Sequence, residues 1–89
     1  MVEKRVVIKN RLGIHARPAT LLVQAAAKFQ AEIFLSKGEV RRINGKSIMG
    51  IMMLAAESGA VLELESEGED CEDQLRALQE LVDSRFGED

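Results

Sequence analysis

Val2, Val6 and Ile8 lie on one side of a two-residue alternation broken only by Lys4. That pattern predicts a half-buried first strand running to about residue 8. After a break at Gly13, the apolar residues Ala19, Leu22, Val23, Ala26 and Phe29 recur at three- and four-residue steps. A helix from Ala16 to Phe29, packed on one face, is the predicted result. Pro18 fits only in its first turn, where a missing amide hydrogen costs nothing, so His15 falls at or beside the N-cap. Ile33 and Leu35 then alternate with Glu32 and Ser36, Lys37-Gly38 turns the chain, and Val40 to Ile43 returns as the second arm of a hairpin.

A second turn at Asn44-Gly45 leads to Ser47, which stands as the N-cap of a short helix carrying Ile48, Met49, Ile51 and Met52 and ending at Ser58-Gly59. Leu62 and Leu64 alternate with Glu63 and Glu65 in a fourth strand closed by Gly68. Asp70 opens the last helix, with Cys71, Leu75, Leu78 and Val82 on its buried face. The order is therefore β-α-β-β-α-β-α. Alternation in several strands predicts an antiparallel sheet with one wet face and one covered by helices, an α+β two-layer sandwich. Ile48, Met49, Ile51 and Met52 are too nearly continuous for one helix face to bury them all. Some should be exposed, as a docking patch requires.

A chain of 89 residues without repeats or linkers is read as one domain, 1–89, too small to enclose a large cleft, so its chemistry must sit near the surface. Apolar stretches fall far short of a membrane span, and Glu3, Lys4 and Arg5 follow Val2 too closely for a signal peptide. A cytoplasmic protein is expected. The single cysteine, Cys71, excludes an internal disulfide and a thiolate metal cluster, and reads as a small core residue. The net charge of -3 hides an asymmetry: residues 1–62 carry ten Lys/Arg against four Asp/Glu, residues 63–89 two against eleven. The basic part would attract acidic partners or a phosphoryl group. Nucleic acid is not expected, since the chain has no Trp or Tyr, three Phe and no dense basic run.

His15-Ala16-Arg17-Pro18 is where these features converge on chemistry. The free amides of a helix's first turn carry partial positive charge and make a ready site for phosphate oxygens. Arg17 adds a guanidinium for the same oxygens. Both positive sources favour the neutral, nucleophilic form of the imidazole. A lone histidine in an arbitrary protein is more often a simple cap. Here it is the only histidine, it precedes a Pro-marked helix start, and no Asp or Glu within seven residues could orient it or share a metal. A nucleophile with oxyanion donors but no base, cofactor or metal suits a stoichiometric carrier rather than an autonomous enzyme.

The chain resembles HPr, the histidine-containing phosphocarrier family of the bacterial phosphotransferase system. Leu12-Gly13-Ile14-His15-Ala16-Arg17-Pro18-Ala19 and Asn44-Gly45-Lys46-Ser47-Ile48-Met49-Gly50 carry the resemblance, which runs nearly the whole chain. It implies an open-faced β-sandwich, a four-stranded antiparallel sheet with three helices on one face. It implies a phosphoryl group on Nδ1 of His15, received from Enzyme I and given to a sugar-specific IIA domain, with no cofactor. Arg17 and the amides of Ala16 and Arg17 would receive the phosphoryl oxygens, and Ile48, Met49 and Met52 would form the docking surface. Ser47 matches the serine modified by HPr kinase/phosphorylase, which would add that kinase and a transcriptional regulator to the partners of a monomeric protein. Two alternatives remain open: a carrier of the nitrogen-related branch, which the Arg85-Phe86-Gly87-Glu88-Asp89 ending resembles, and a corepressor-type binding module, whose members lack the phosphorylatable histidine.

Overall fold

The computed structural model describes residues 1–88; Asp89, the last residue of the ending compared with the nitrogen branch, lies outside them. Four strands, β1 (Val2–Val7), β2 (Glu32–Lys37), β3 (Val40–Asn44) and β4 (Val61–Glu67), form one antiparallel sheet in the order β1-β4-β2-β3. Three helices, α1 (Ala16–Ala26), α2 (Ile48–Met53) and α3 (Cys71–Asp83), complete the open-faced α+β architecture. The inner alternate positions Val6, Ile33, Leu35, Leu62 and Leu64 meet Ala19, Leu22, Ala26, Ile51, Leu75, Leu78 and Val82 from the helices in one core. Burial of these side chains is the main force holding the layers together.

Four expectations need correction. α1 ends at Ala26, so Phe29 lies in the turn beyond it. α2 ends at Met53, where Leu54 is buried and Ala55 adopts a left-handed φ of 49°; Ser58-Gly59 instead turns the chain into β4. Ser36 does lie on the wet side, paired with Glu63, but it is fully buried there: β3 bulges opposite the step from Leu35 to Lys37, and the Ser36 hydroxyl accepts the Arg42 amide at 2.9 Å. The acidic side of β4 is not left to solvent alone: Arg41 reaches Glu63 at 2.8 Å and Arg42 reaches Glu65 at 2.7 Å, with Arg42 stacked 4.2 Å from the Phe34 ring centroid.

Two polar groups tie the helices to the sheet. Gln74, fully buried on α3, donates to the carbonyls of Ala26 at 3.2 Å and Ala31 at 2.9 Å and accepts the Ser66 hydroxyl, so β4, α3 and the end of α1 share one satisfied amide. Asp70 is the N-cap residue of α3, but its side chain makes no cap bond; its carboxylate accepts the backbone N–H groups of Gln30 at 2.9 Å and Ala31 at 2.8 Å. The Gln30 amide, ahead of that of Ala31, holds the Asp70 carboxyl below its ordinary value. The sign follows directly: the stabilisation is fully present above the ordinary carboxylate range and is lost as pH falls through the lower folded value. Asp70→Asn should therefore lower the melting temperature at neutral pH, and its difference from the parent should shrink as the solution is acidified. Thermal unfolding monitored by circular dichroism across the acid range checks both.

Candidate active site

His15 is the N-cap of α1, in extended conformation at φ -100° and ψ -166°, and no side chain caps the helix. The first intrahelical bond runs from Ala19 N to His15 O at 3.0 Å, and Pro18, buried in the first turn, has no amide hydrogen. The amide donors that this end offers are those of Ala16 and Arg17. No acidic residue stands in the first turn to neutralise them. The sequence thus builds a positive helix end and leaves it open beside an imidazole.

The loop that delivers His15 is fixed from both sides. Ile14 N donates to Ala56 O at 2.8 Å, and Gly13 N donates to Asn10 O at 3.1 Å. Gly13 has φ +70°, and a Cβ there would lie 2.5 Å from the Ala56 carbonyl oxygen and 2.8 Å from Glu57 Cα. Only glycine fits a left-handed turn pressed this closely on backbone. Asn10, fully buried, donates from Nδ2 to Gly13 O at 2.6 Å and to Glu88 Oε1 at 2.8 Å.

Glu88 is the residue that sequence reasoning missed. No carboxylate lies near His15 along the chain, yet the structure brings one from 73 positions away: His15 Nε2 is 3.0 Å from Glu88 Oε1 and 3.3 Å from Oε2. The positive helix end and Arg17 are therefore not the only charges facing the imidazole, as had been expected. Arg17 Nη1 donates both to Glu88 Oε2 at 3.0 Å and to the Phe86 carbonyl at 2.8 Å, while its side chain stays 54% exposed. His15, then Asn10, and also Arg17 hold the Glu88 carboxyl below its ordinary value against the opposing effect of burial.

The tail reaches the site because α3 stops at Asp83 and the chain reverses through Arg85, Phe86 and Gly87, with φ of 57°, 54° and 73°. Two non-glycine residues in the left-handed region are unfavourable. The Phe86 ring, 2% exposed in the core, offsets them. A buried aromatic followed by Gly and Glu was the signal that could have marked the tail as docked.

The second motif lies on α2. Ser47 is its N-cap, accepting Gly50 N through its hydroxyl at 3.0 Å. Of the apolar run only Ile51 is buried; Ile48 and Met52 are exposed, as are Met49 at 78% and Met53 at 70%. Met53 extends the expected patch by one residue. α2 packs on α1, which joins the two motifs through the core. Among the described residues no cluster of His, Cys, Asp or Glu could hold a metal, and no helix is long and apolar enough to cross a membrane.

A family model described as the PTS HPr component phosphorylation site matches residues 2–84. Phosphocarrier protein HPr of Neisseria meningitidis serogroup A is 46% identical over 88 residues, covering 99% of this chain and 98% of the relative. The HPr of Treponema pallidum is 47% identical over 89 residues and covers both chains fully. The crystal structure of HPr-C-His from Thermoanaerobacter tengcongensis superposes with a TM-score of 0.93 at 46% identity, covering 100% of this chain and 99% of that one.

Gly13→Ala should destabilise the protein by about 2 kcal/mol or more, combining left-handed strain with a backbone clash that cannot relax by rotation of a side chain. Urea unfolding measures the loss.

Proposed function

The chain belongs to the HPr family and is a phosphocarrier of the phosphotransferase system, and from that premise we propose that Nδ1 of His15 carries the phosphoryl group, received from phospho-Enzyme I and given to a sugar-specific IIA domain. The observation that carries this reading is the single imidazole standing at the uncapped N-terminus of α1 with Arg17 two residues on. In the transfer, the Nδ1 lone pair attacks the phosphorus of the donor's phosphohistidine in line. A P–Nδ1 bond forms, the donor's P–N bond breaks, and that electron pair returns to the donor's imidazole. Little covalent work falls to the protein, so catalysis consists of positioning and of stabilising charge on the phosphoryl oxygens. The amides of Ala16 and Arg17 and the Arg17 guanidinium, which has donors beyond the Nη1 used by Glu88 and Phe86, suit that role.

Ile48, Met49 and Met52, extended by Met53, form the docking surface for Enzyme I and the IIA domains in this reading. Methionine is well suited to a surface that meets several partners in turn, because its flexible thioether repacks against different shapes. The carrier acts as a monomer in the cytoplasm, with no cofactor, since each partner must cover the same face. Ser47 is the regulatory site for HPr kinase/phosphorylase: a phosphate there keeps a favourable place at the start of α2 but sets an anion beside the docking patch.

Incubation with phosphoenolpyruvate and the host's Enzyme I should label the protein with one acid-labile phosphoryl group, and His15→Ala should take none. Label retained in that variant, or none in the parent, contradicts the assignment. Ser47→Asp should slow phosphoryl transfer from Enzyme I roughly tenfold through weakened docking while the fold persists. Stopped-flow or quenched transfer assays, with circular dichroism as control, decide it.

A further inference from the structure

Nδ1 can attack only while it holds a lone pair, so the proton of the neutral ring must sit on Nε2. Nothing in the His15-Ala16-Arg17 segment enforces that choice. The structure places a carboxylate against Nε2, with both Glu88 oxygens within 3.3 Å. An ionised carboxylate can only accept, so it selects the ring form that donates from Nε2. Glu88 is itself held: Asn10 Nδ2 donates to Oε1 at 2.8 Å and Arg17 Nη1 to Oε2 at 3.0 Å, and its side chain is only 20% exposed. Asn10 also binds Gly13 O at 2.6 Å, so one buried amide ties the loop carrying His15 to the carboxylate that faces it.

We propose that Glu88 is the positioning residue of this carrier: it fixes the Nε2–H tautomer of His15, leaves Nδ1 to the phosphoryl group, and is oriented for this by Asn10 and Arg17. The proposal rests on His15 as the phosphorylated residue. When Nδ1 forms its bond to phosphorus, the ring retains the Nε2 proton and becomes a phosphorylated imidazolium whose positive charge faces Glu88. When the acceptor attacks, the P–Nδ1 bond breaks and its electron pair returns to Nδ1. The leaving group is then neutral imidazole, still protonated at Nε2. Without that proton it would be imidazolate, a far poorer leaving group. Glu88 thus acts on both halves of the exchange without touching phosphorus.

The test uses ring-15N histidine spectra of the full chain, unphosphorylated, in mildly alkaline buffer, together with the lifetime of the phosphorylated protein at neutral pH. The parent should show one tautomer protonated at Nε2, and Glu88→Ala should show a mixture, with amide spectra otherwise unchanged. Glu88→Gln, which removes the charge facing the phosphorylated ring, should lengthen the phosphoryl lifetime roughly three- to tenfold. A parent ring protonated at Nδ1, an unchanged tautomer in Glu88→Ala, or an unchanged lifetime in Glu88→Gln overturns the proposal. Because the tautomer is read before any phosphorylation, its failure is distinct from failure of His15 to take label.

Discussion

The amide end of α1 is left without a cap, and the surrounding structure keeps it so. A helix start ordinarily satisfies its first donors with a Ser, Thr, Asp or Asn side chain. Here the N-cap is a histidine that makes no such bond, Pro18 removes one donor altogether, and no acid stands in the first turn. Leaving donors unpaired is unfavourable unless water or an anion meets them, and the partly exposed position of His15 permits that. Gly13, packed on the Ala56–Glu57 backbone, sets the angle at which the chain enters the helix, and the core residues Ala19, Leu22 and Ala26 fix the helix behind it. The site is an unsatisfied electrostatic need held rigid by an apolar core.

That arrangement sets His15 and Arg17 at the protein's surface, both partly open to solvent. In the proposed transfer the partner proteins would supply the rest of the enclosure and exclude water from a phosphoryl group that would otherwise be exposed. In the proposed function, the exposed apolar surface of α2 and the basic bias of residues 1–62 belong to the same logic: encounter would be guided by charge and completed by apolar contact.

Much of this was legible in the chain because the signals were local. Three of the strands were marked by period-two alternation and the third in order by the turn at Lys37-Gly38, α1 by Pro18 and its apolar face, and α2 by Ser47, whose hydroxyl does accept Gly50 N. The features that escaped were made by long-range contact. Ser36 reads as an exposed wet-face residue until the bulge in β3 brings the Arg42 amide over its hydroxyl. Asp70 opens the last helix as read, but its carboxylate goes to the Gln30 and Ala31 amides across the fold. Glu88 reads as one more acid in an acidic tail; only the seating of Phe86 in the core carries it to His15. Alternation and capping are written in neighbouring residues, whereas the partner of a charged side chain is decided by where the chain returns.

α2 has six residues and places one of them, Ile51, in the core. A helix this short has no independent stability in water, so it persists through that single anchor, the buried Leu54 that follows it, and the bond between Ser47 and Gly50. Such an element can open while the sheet and the two long helices stay closed, because few apolar contacts are lost when it does. The exposed methionines therefore sit on a part of the molecule to whose local stability one hydroxyl oxygen contributes. Chemistry at that atom would act twice, on the charge of the surface and on the fraction of time the surface exists.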